Sequence, residues 1–217
     1  MIKFLKFFAV AVSLGFISLS ANEITFVGDS HFAGKILPNE IAKNLGINEI
    51  KIYAKIGRQS KGVPSDIRKE IKESSPESLI IMFGSNDAAS NVPANKYVQE
   101  IQKLSSLSDK RVFILVPFYK KDQKLIDEYE QALKALFRYQ NNIEVISTKY
   151  CDLKYSKDDV HLTSKGYKDL GKCIAEKIEK REPKIGSLTI QNSYNSSVKV
   201  AHDDLIRRKV YVVEIIK

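Results

Sequence analysis

The serine in "FVGDSH" (residues 26–31) stands where an apolar, strand-like run stops at a glycine and an acid. A serine at a sharp turn from a buried strand into a helix presents its hydroxyl at the open end of a sheet, so Ser30 could attack a carbonyl. The same place suits a helix N-cap, which also favours serine or aspartate. A serine nucleophile needs a base within hydrogen-bond reach and a third group that orients the base. The chain has three histidines, His31, His161 and His202. His31 is adjacent to Ser30, and successive side chains leave a turn in different directions, so it is better suited to lining a pocket. His202 falls in a carboxy-terminal stretch to which no chemistry can be assigned. His161 sits in "KDDVHLTSKGY". An acid three residues earlier can curl under the imidazole, which favours Asp158 over Asp159 as the partner of Nδ1 while Nε2 faces Ser30.

Acyl transfer also needs donors aimed at the developing oxyanion. Asn86 in "FGSND" offers a side-chain amide, and Gly57 in "AKIGRQ" offers a backbone N–H that a substrate can approach closely. Each of them also suits an ordinary turn. Phosphate-loop chemistry fits poorly: "GDSHFAGKI" has one residue too many between its glycines, and Ile36 stands where Ser or Thr would hold magnesium. There is no G-x-S-x-G elbow. No His, Asp or Cys cluster has metal-ligand spacing, so neither a metal nor another cofactor is expected.

These groups need a scaffold that delivers them to one rim. Five apolar runs, "EITFVG", "EIKIYA", "SLIIMF", "RVFILV" and "NIEVIS", read as strands buried on both faces. Between and after them, helices are predicted at roughly 32–45, 64–74, 93–106, 122–139 and 164–180, with Pro64 and Pro93 near two starts and Thr163 an N-cap for the last. Such alternation implies an α/β fold, a parallel sheet covered by helices, with function collected at the carboxyl ends of the strands. Every motif above falls just after a strand.

In this order and placement, Gly28-Asp29-Ser30, Gly57, Gly84-Ser85-Asn86-Asp87 and Asp158-Asp159-Val160-His161 resemble the four sequence blocks of the SGNH/GDSL hydrolase family. The resemblance spans about residues 24–180, and "HLTSKGY" is similar to the family's usual continuation. It implies a flavodoxin-like three-layer α/β/α sandwich with a five-stranded parallel sheet. It also implies that Ser30 attacks an ester carbonyl, His161 is base and then acid, and Asp158 orients it. The oxyanion hole would be the Ser30 and Gly57 N–H groups with the Asn86 amide. The chain departs from the pattern at His31, where leucine or other residues are frequent, and at Arg58-Gln59 after Gly57.

Residues 1–21 read as a secretory signal peptide: Lys3 and Lys6, an apolar run Phe7–Ile17 too short to span a bilayer, then small residues. Residues 22–183 would form the hydrolase domain, and 184–217, with short alternating runs, a β-rich extension. A periplasmic or secreted protein without stable membrane insertion is expected. Cys151 and Cys173 then form either a disulfide or two separate buried thiols. The net charge is +9, spread rather than blocked and without a nucleic-acid motif; it would either draw the protein to anionic envelope polymers or lipid headgroups, or simply reflect a lysine-rich, well-solvated surface. Phe118 and Tyr119, after the fourth strand, could line a small acyl pocket or equally belong to the core. Since no long apolar lid is present, the expected activity is removal of small acyl groups, O-acetyl above all, from an envelope glycan such as peptidoglycan. The alternatives are a lysophospholipase or thioesterase of the same fold, and a non-catalytic glycan-binding or surface-assembly protein.

Overall fold

A computed structural model describes residues 23–181. Residues 1–21, read above as a signal peptide, the extension at 184–217 and His202 lie outside them. The Ile-, Val- and Phe-rich runs form the strands, as β-branched and aromatic side chains favour. They are β1 (Ile24–Gly28), β2 (Ile50–Ala54), β3 (Ser78–Met82), β4 (Arg111–Leu115) and β5 (Ile143–Ile146). The helices are α1 (Ser30–Ala33), α2 (Ile36–Asn44), α3 (Ser65–Ser74), α4 (Ser85–Ala89), α5 (Ala94–Ser105), α6 (Gln123–Phe137) and α7 (Ser164–Arg181). All four strand pairs are parallel, in the order β2-β1-β3-β4-β5. This is the flavodoxin-like order, whose direction of winding reverses between β1 and β3; ligands in such sheets sit outside the strand ends at that point.

Side chains alternate across the central strands with the period of two that a pleated strand imposes. Val27, Leu79, Ile81, Val112 and Ile114 face a core closed by α3, α5 and α6. Phe26, Ile80, Met82, Phe113 and Leu115 face a second core closed by α1, α2 and α7. Burial of each such side chain contributes about 1.5–3 kcal/mol. Not every strand is buried on both faces, however: all of β2 and most of β5 are only partly covered, because each is an edge strand with one neighbour.

The helix expected at 32–45 is two helices, broken at Gly34-Lys35, where Lys35 takes φ 61°. Pro38 explains the break, since inside a continuous helix it would remove a backbone donor and clash one turn back. Restarting at Ile36 puts Pro38 in the first turn, where that donor is not needed. Among the described residues no helix is long and apolar enough to cross a membrane.

Cys151 and Cys173 are joined by a disulfide with their Cα atoms 6.0 Å apart, which ties the segment after β5 to α7. The bridge closes a loop of 22 residues that contains Asp158 and His161. In the chain-entropy model a loop of this size stabilises by about 3 kcal/mol. Reduction is therefore expected to lower the urea midpoint clearly, and Cys151→Ser/Cys173→Ser to match the reduced protein.

Candidate active site

The turn after β1 is built around a close backbone approach. A Cβ on Gly28 would lie 2.7 Å from the Met82 carbonyl oxygen and 2.6 Å from the Phe32 ring, so only glycine lets β1 pass β3 into α1. The N-cap of α1 is Asp29, whose Oδ1 accepts from the His31 N–H at 3.0 Å. Capping thus falls to Asp29, and Ser30 is the first helical residue, half-buried, with its N–H among the donors that a helix start leaves without an intrahelical acceptor.

Ser30 Oγ lies 3.0 Å from His161 Nε2, and His161 Nδ1 lies 2.7 Å from Asp158 Oδ2. A carboxylate can only accept, so Nδ1 carries the proton, Nε2 is the acceptor, and the Ser30 hydroxyl donates to it. Asp158 is held in turn: its Oδ1 accepts from the Ser156 hydroxyl (2.7 Å) and from the N–H groups of Val160 (3.0 Å) and His161 (2.9 Å). The His161 bond, then those from Ser156 and the backbone, hold the Asp158 carboxyl well below the usual carboxylate range. Asp159 plays no part in this line. It takes φ 56°, a left-handed conformation that Asp tolerates, and pairs with Lys120 at 2.7 Å. Thr163 caps α7, its hydroxyl accepting from the Gly166 N–H at 3.0 Å, which fixes the helix that follows His161.

The prospective oxyanion donors are linked to one another. Asn86, in the first turn of α4, directs Nδ2 to Asp29 Oδ2 (3.4 Å) and to the Arg58 carbonyl (3.3 Å). Both contacts are long, leaving the amide able to tighten onto a better acceptor when substrate binds. Asp87, 1% exposed, accepts from the Ser60 N–H (3.0 Å) and hydroxyl (2.7 Å), clamping the segment after β2 to α4. Burial raises the Asp87 pKa against these bonds. Gly57, between them, has φ +74°, a conformation that L side chains rarely adopt. Asn86→Ala is expected to lower kcat on an acetyl ester by about 10²–10³-fold with little change in KM, the signature of a donor that acts in the transition state. Steady-state kinetics checks it.

His31 and Phe118 are buried, each 2% exposed. The His31 ring lies 4.3 Å from the Phe118 ring and bridges Tyr167 Oη (2.9 Å, Nδ1) and Ser85 Oγ (3.0 Å, Nε2). Ser85 donates to the Phe118 carbonyl at 3.0 Å, so it accepts from Nε2–H, and Nδ1 accepts from Tyr167. A buried imidazole satisfied on both sides belongs to the core and supports α1 from below. Tyr119 is half-buried and packs against the core closed by α3, α5 and α6. The hydrogen-bonding roles of Tyr167, Ser85, Ser60 and Ser156 escaped the sequence reading, since nothing local marks partners as far apart as His31 and Tyr167.

Burial first, then the charge on His161, pushes the His31 pKa down to about 3, so this residue stays neutral in the fold. A depressed imidazole gives stability that is fully present above the unfolded value of 6.5 and is lost as pH falls toward about 3. Asp29 runs the other way: burial raises its pKa to about 7, so its contribution is present below 3.8 and lost as pH rises through about 7. His31→Gln keeps Asp29 and removes only the first effect. The stability gap between wild type and His31→Gln is therefore expected to shift in the variant's favour by up to about 1.4 kcal/mol per pH unit below pH 6.5. Urea titrations at pH 7 and pH 5 measure it.

One cleft, of about 440 Å³, opens beside Gly57 and is lined by Lys55, Ile56, Arg58, Gln59, Lys61, Gly62 and Pro64. Another depression, at Asn39–Ile50, lies toward the amino end of β2, away from these groups.

A parallel five-stranded sheet with serine, histidine, aspartate and amide donors on its carboxyl rim defines a class of hydrolase, and the family comparison agrees. The chain belongs to the GDSL-like lipase/acylhydrolase family, whose model matches residues 24–174, and is an ester hydrolase. No curated protein sequence matches it significantly. Among solved structures it is similar to an aryl esterase from M. smegmatis, at 15% identity and TM-score 0.61, over 74% of this chain and 99% of that one. It is also similar to a carbohydrate acetylesterase from Sinorhizobium meliloti, at 15% identity and TM-score 0.59, over 73% of this chain and 99% of the other. At such identities the likeness speaks for the fold alone.

Proposed function

We propose that the chain is an exported serine esterase that removes small acyl groups, O-acetyl above all, from a cell-envelope glycan such as peptidoglycan. The observation that carries the proposal is the line Asp158–His161–Ser30, with spacings of 2.7 and 3.0 Å. In the proposed reaction Ser30 Oγ attacks the acyl carbonyl as His161 Nε2 takes its proton. The tetrahedral oxyanion is met by the N–H groups of Ser30 and Gly57 and by Asn86 Nδ2. Collapse breaks the bond to the glycan oxygen, which leaves with the proton from His161. Water then attacks the acyl-enzyme, giving its proton to His161, and the carboxylic acid departs as Ser30 regains a proton. Asp158 stays charged throughout and stabilises the imidazolium.

Export is supported by the composition of residues 1–21 and by the disulfide, a bond typical of oxidising compartments. Small acyl groups are favoured because the segments after the strands carry no long apolar insertion that would enclose a fatty chain. The test is acetate release from isolated O-acetylated peptidoglycan by wild type and Ser30→Ala, beside fatty-acid release from a lysophospholipid. Acetate release that depends on Ser30 is expected; faster release of the fatty acid would favour a lysophospholipase instead.

A further inference from the structure

The family's reaction does not use Arg58, yet Arg58 stands beside the site with its charge unmet. Its carbonyl accepts from Asn86 Nδ2, and the same amide reaches Asp29 Oδ2, so one side chain separates Arg58 from the turn that carries Ser30. The Arg58 stem packs against Gly62, where an added Cβ would come within 3.3 Å of Cγ. Its Nη1 is shut off from solvent and meets no hydrogen-bond partner, while the side chain as a whole is only half-buried and lines the neighbouring cleft. Among the described residues the guanidinium is paired with no carboxylate. Shielded polar groups almost always have partners, and a guanidinium is the side chain best shaped to grip a planar or tetrahedral oxyanion with two parallel bonds. The cleft lined by Arg58 also holds Lys55 and Lys61, and no acid lines it. Lys61 acts on Asp87 from a distance, and neither lysine forms an ion pair among the described residues.

We infer that this cleft is a subsite for an anionic oxygen group, carboxylate or phosphate, carried by the acylated glycan, with Arg58 as its main contact and Lys55 and Lys61 as supporting charges. The inference rests on the esterase reading and narrows it to acidic glycans. Acetyl esters on uncharged sugars would be the poorer substrates. The net charge of +9 points the same way, since it concentrates anionic polymers near the surface before the cleft selects among them.

The test uses three acetylated probes: an O-acetylated methyl glucuronide, its uncharged methyl ester, and an O-acetylated methyl glucoside 6-phosphate. Wild type is expected to favour one or both anionic probes over the uncharged one by about tenfold in kcat/KM, mostly through KM, as one charge-assisted contact supplies. Which anionic probe leads tells carboxylate from phosphate. In Arg58→Gln the preference is expected to fall toward unity, Arg58→Lys to keep part of it, and high salt to weaken it in wild type. Equal rates on charged and uncharged probes, or a preference that survives in Arg58→Gln, would overturn the subsite and leave the esterase intact. If no probe is hydrolysed the esterase reading falls, and calorimetry with deacetylated methyl glucuronide and glucoside 6-phosphate decides the subsite: binding of either that Arg58→Gln abolishes upholds it, and binding of neither overturns it.

Discussion

Ser30→Ala is expected to lower kcat on acetyl esters by about 10⁵-fold, within the range that loss of a serine nucleophile costs in related chemistry. The size follows from what alanine removes. Without Oγ there is no acyl-enzyme, and the remaining rate comes only from the oxyanion donors acting on water held in the cleft. The fold should barely notice, because Ser30 Oγ has a hydrogen bond to His161 and the cap of α1 belongs to Asp29. A melting temperature within a few degrees of wild type, together with collapsed activity, separates loss of chemistry from loss of structure.

His161→Ala is expected to cost about as much, and the double variant Ser30→Ala/His161→Ala no more than either alone, because residues that act as one unit do not add. The serine hydroxyl donates to Nε2 only while Nδ1–H is turned toward Asp158, so the imidazole is both base and the lock on the hydroxyl's direction. A double variant far below both single ones would contradict the base role.

Most of the scaffold was legible before any coordinates, because its signals are local. Apolar runs of strand length, separated by amphipathic stretches, give five strands and the longer helices, and the blocks at Ser30, Gly57, Asn86 and His161 mark the rim. What stayed hidden was local brevity and distant pairing. α4, with five residues, is too short to show a helical period, and "FGSND" reads equally well as a turn. The break at Lys35 depends on a single proline two residues into the next helix. His31 was expected at a pocket wall because successive side chains leave a turn in different directions, which turns it away from the role of base to Ser30. Its burial depends on Tyr167 and Ser85, 136 and 54 positions away, which periodicity cannot join to it. The unmet nitrogen of Arg58 is invisible for the same reason: the sequence shows a charge, while only the fold shows what fails to meet it.

The most direct measurement is covalent capture of the nucleophile. A fluorophosphonate reagent incubated with the protein should form a single adduct, which peptide mass spectrometry assigns to Ser30. Labelling should disappear in Ser30→Ala and slow severely in His161→Ala, in parallel with esterase activity. An adduct on another residue, or full esterase activity in protein labelled to completion at Ser30, would contradict the central claim.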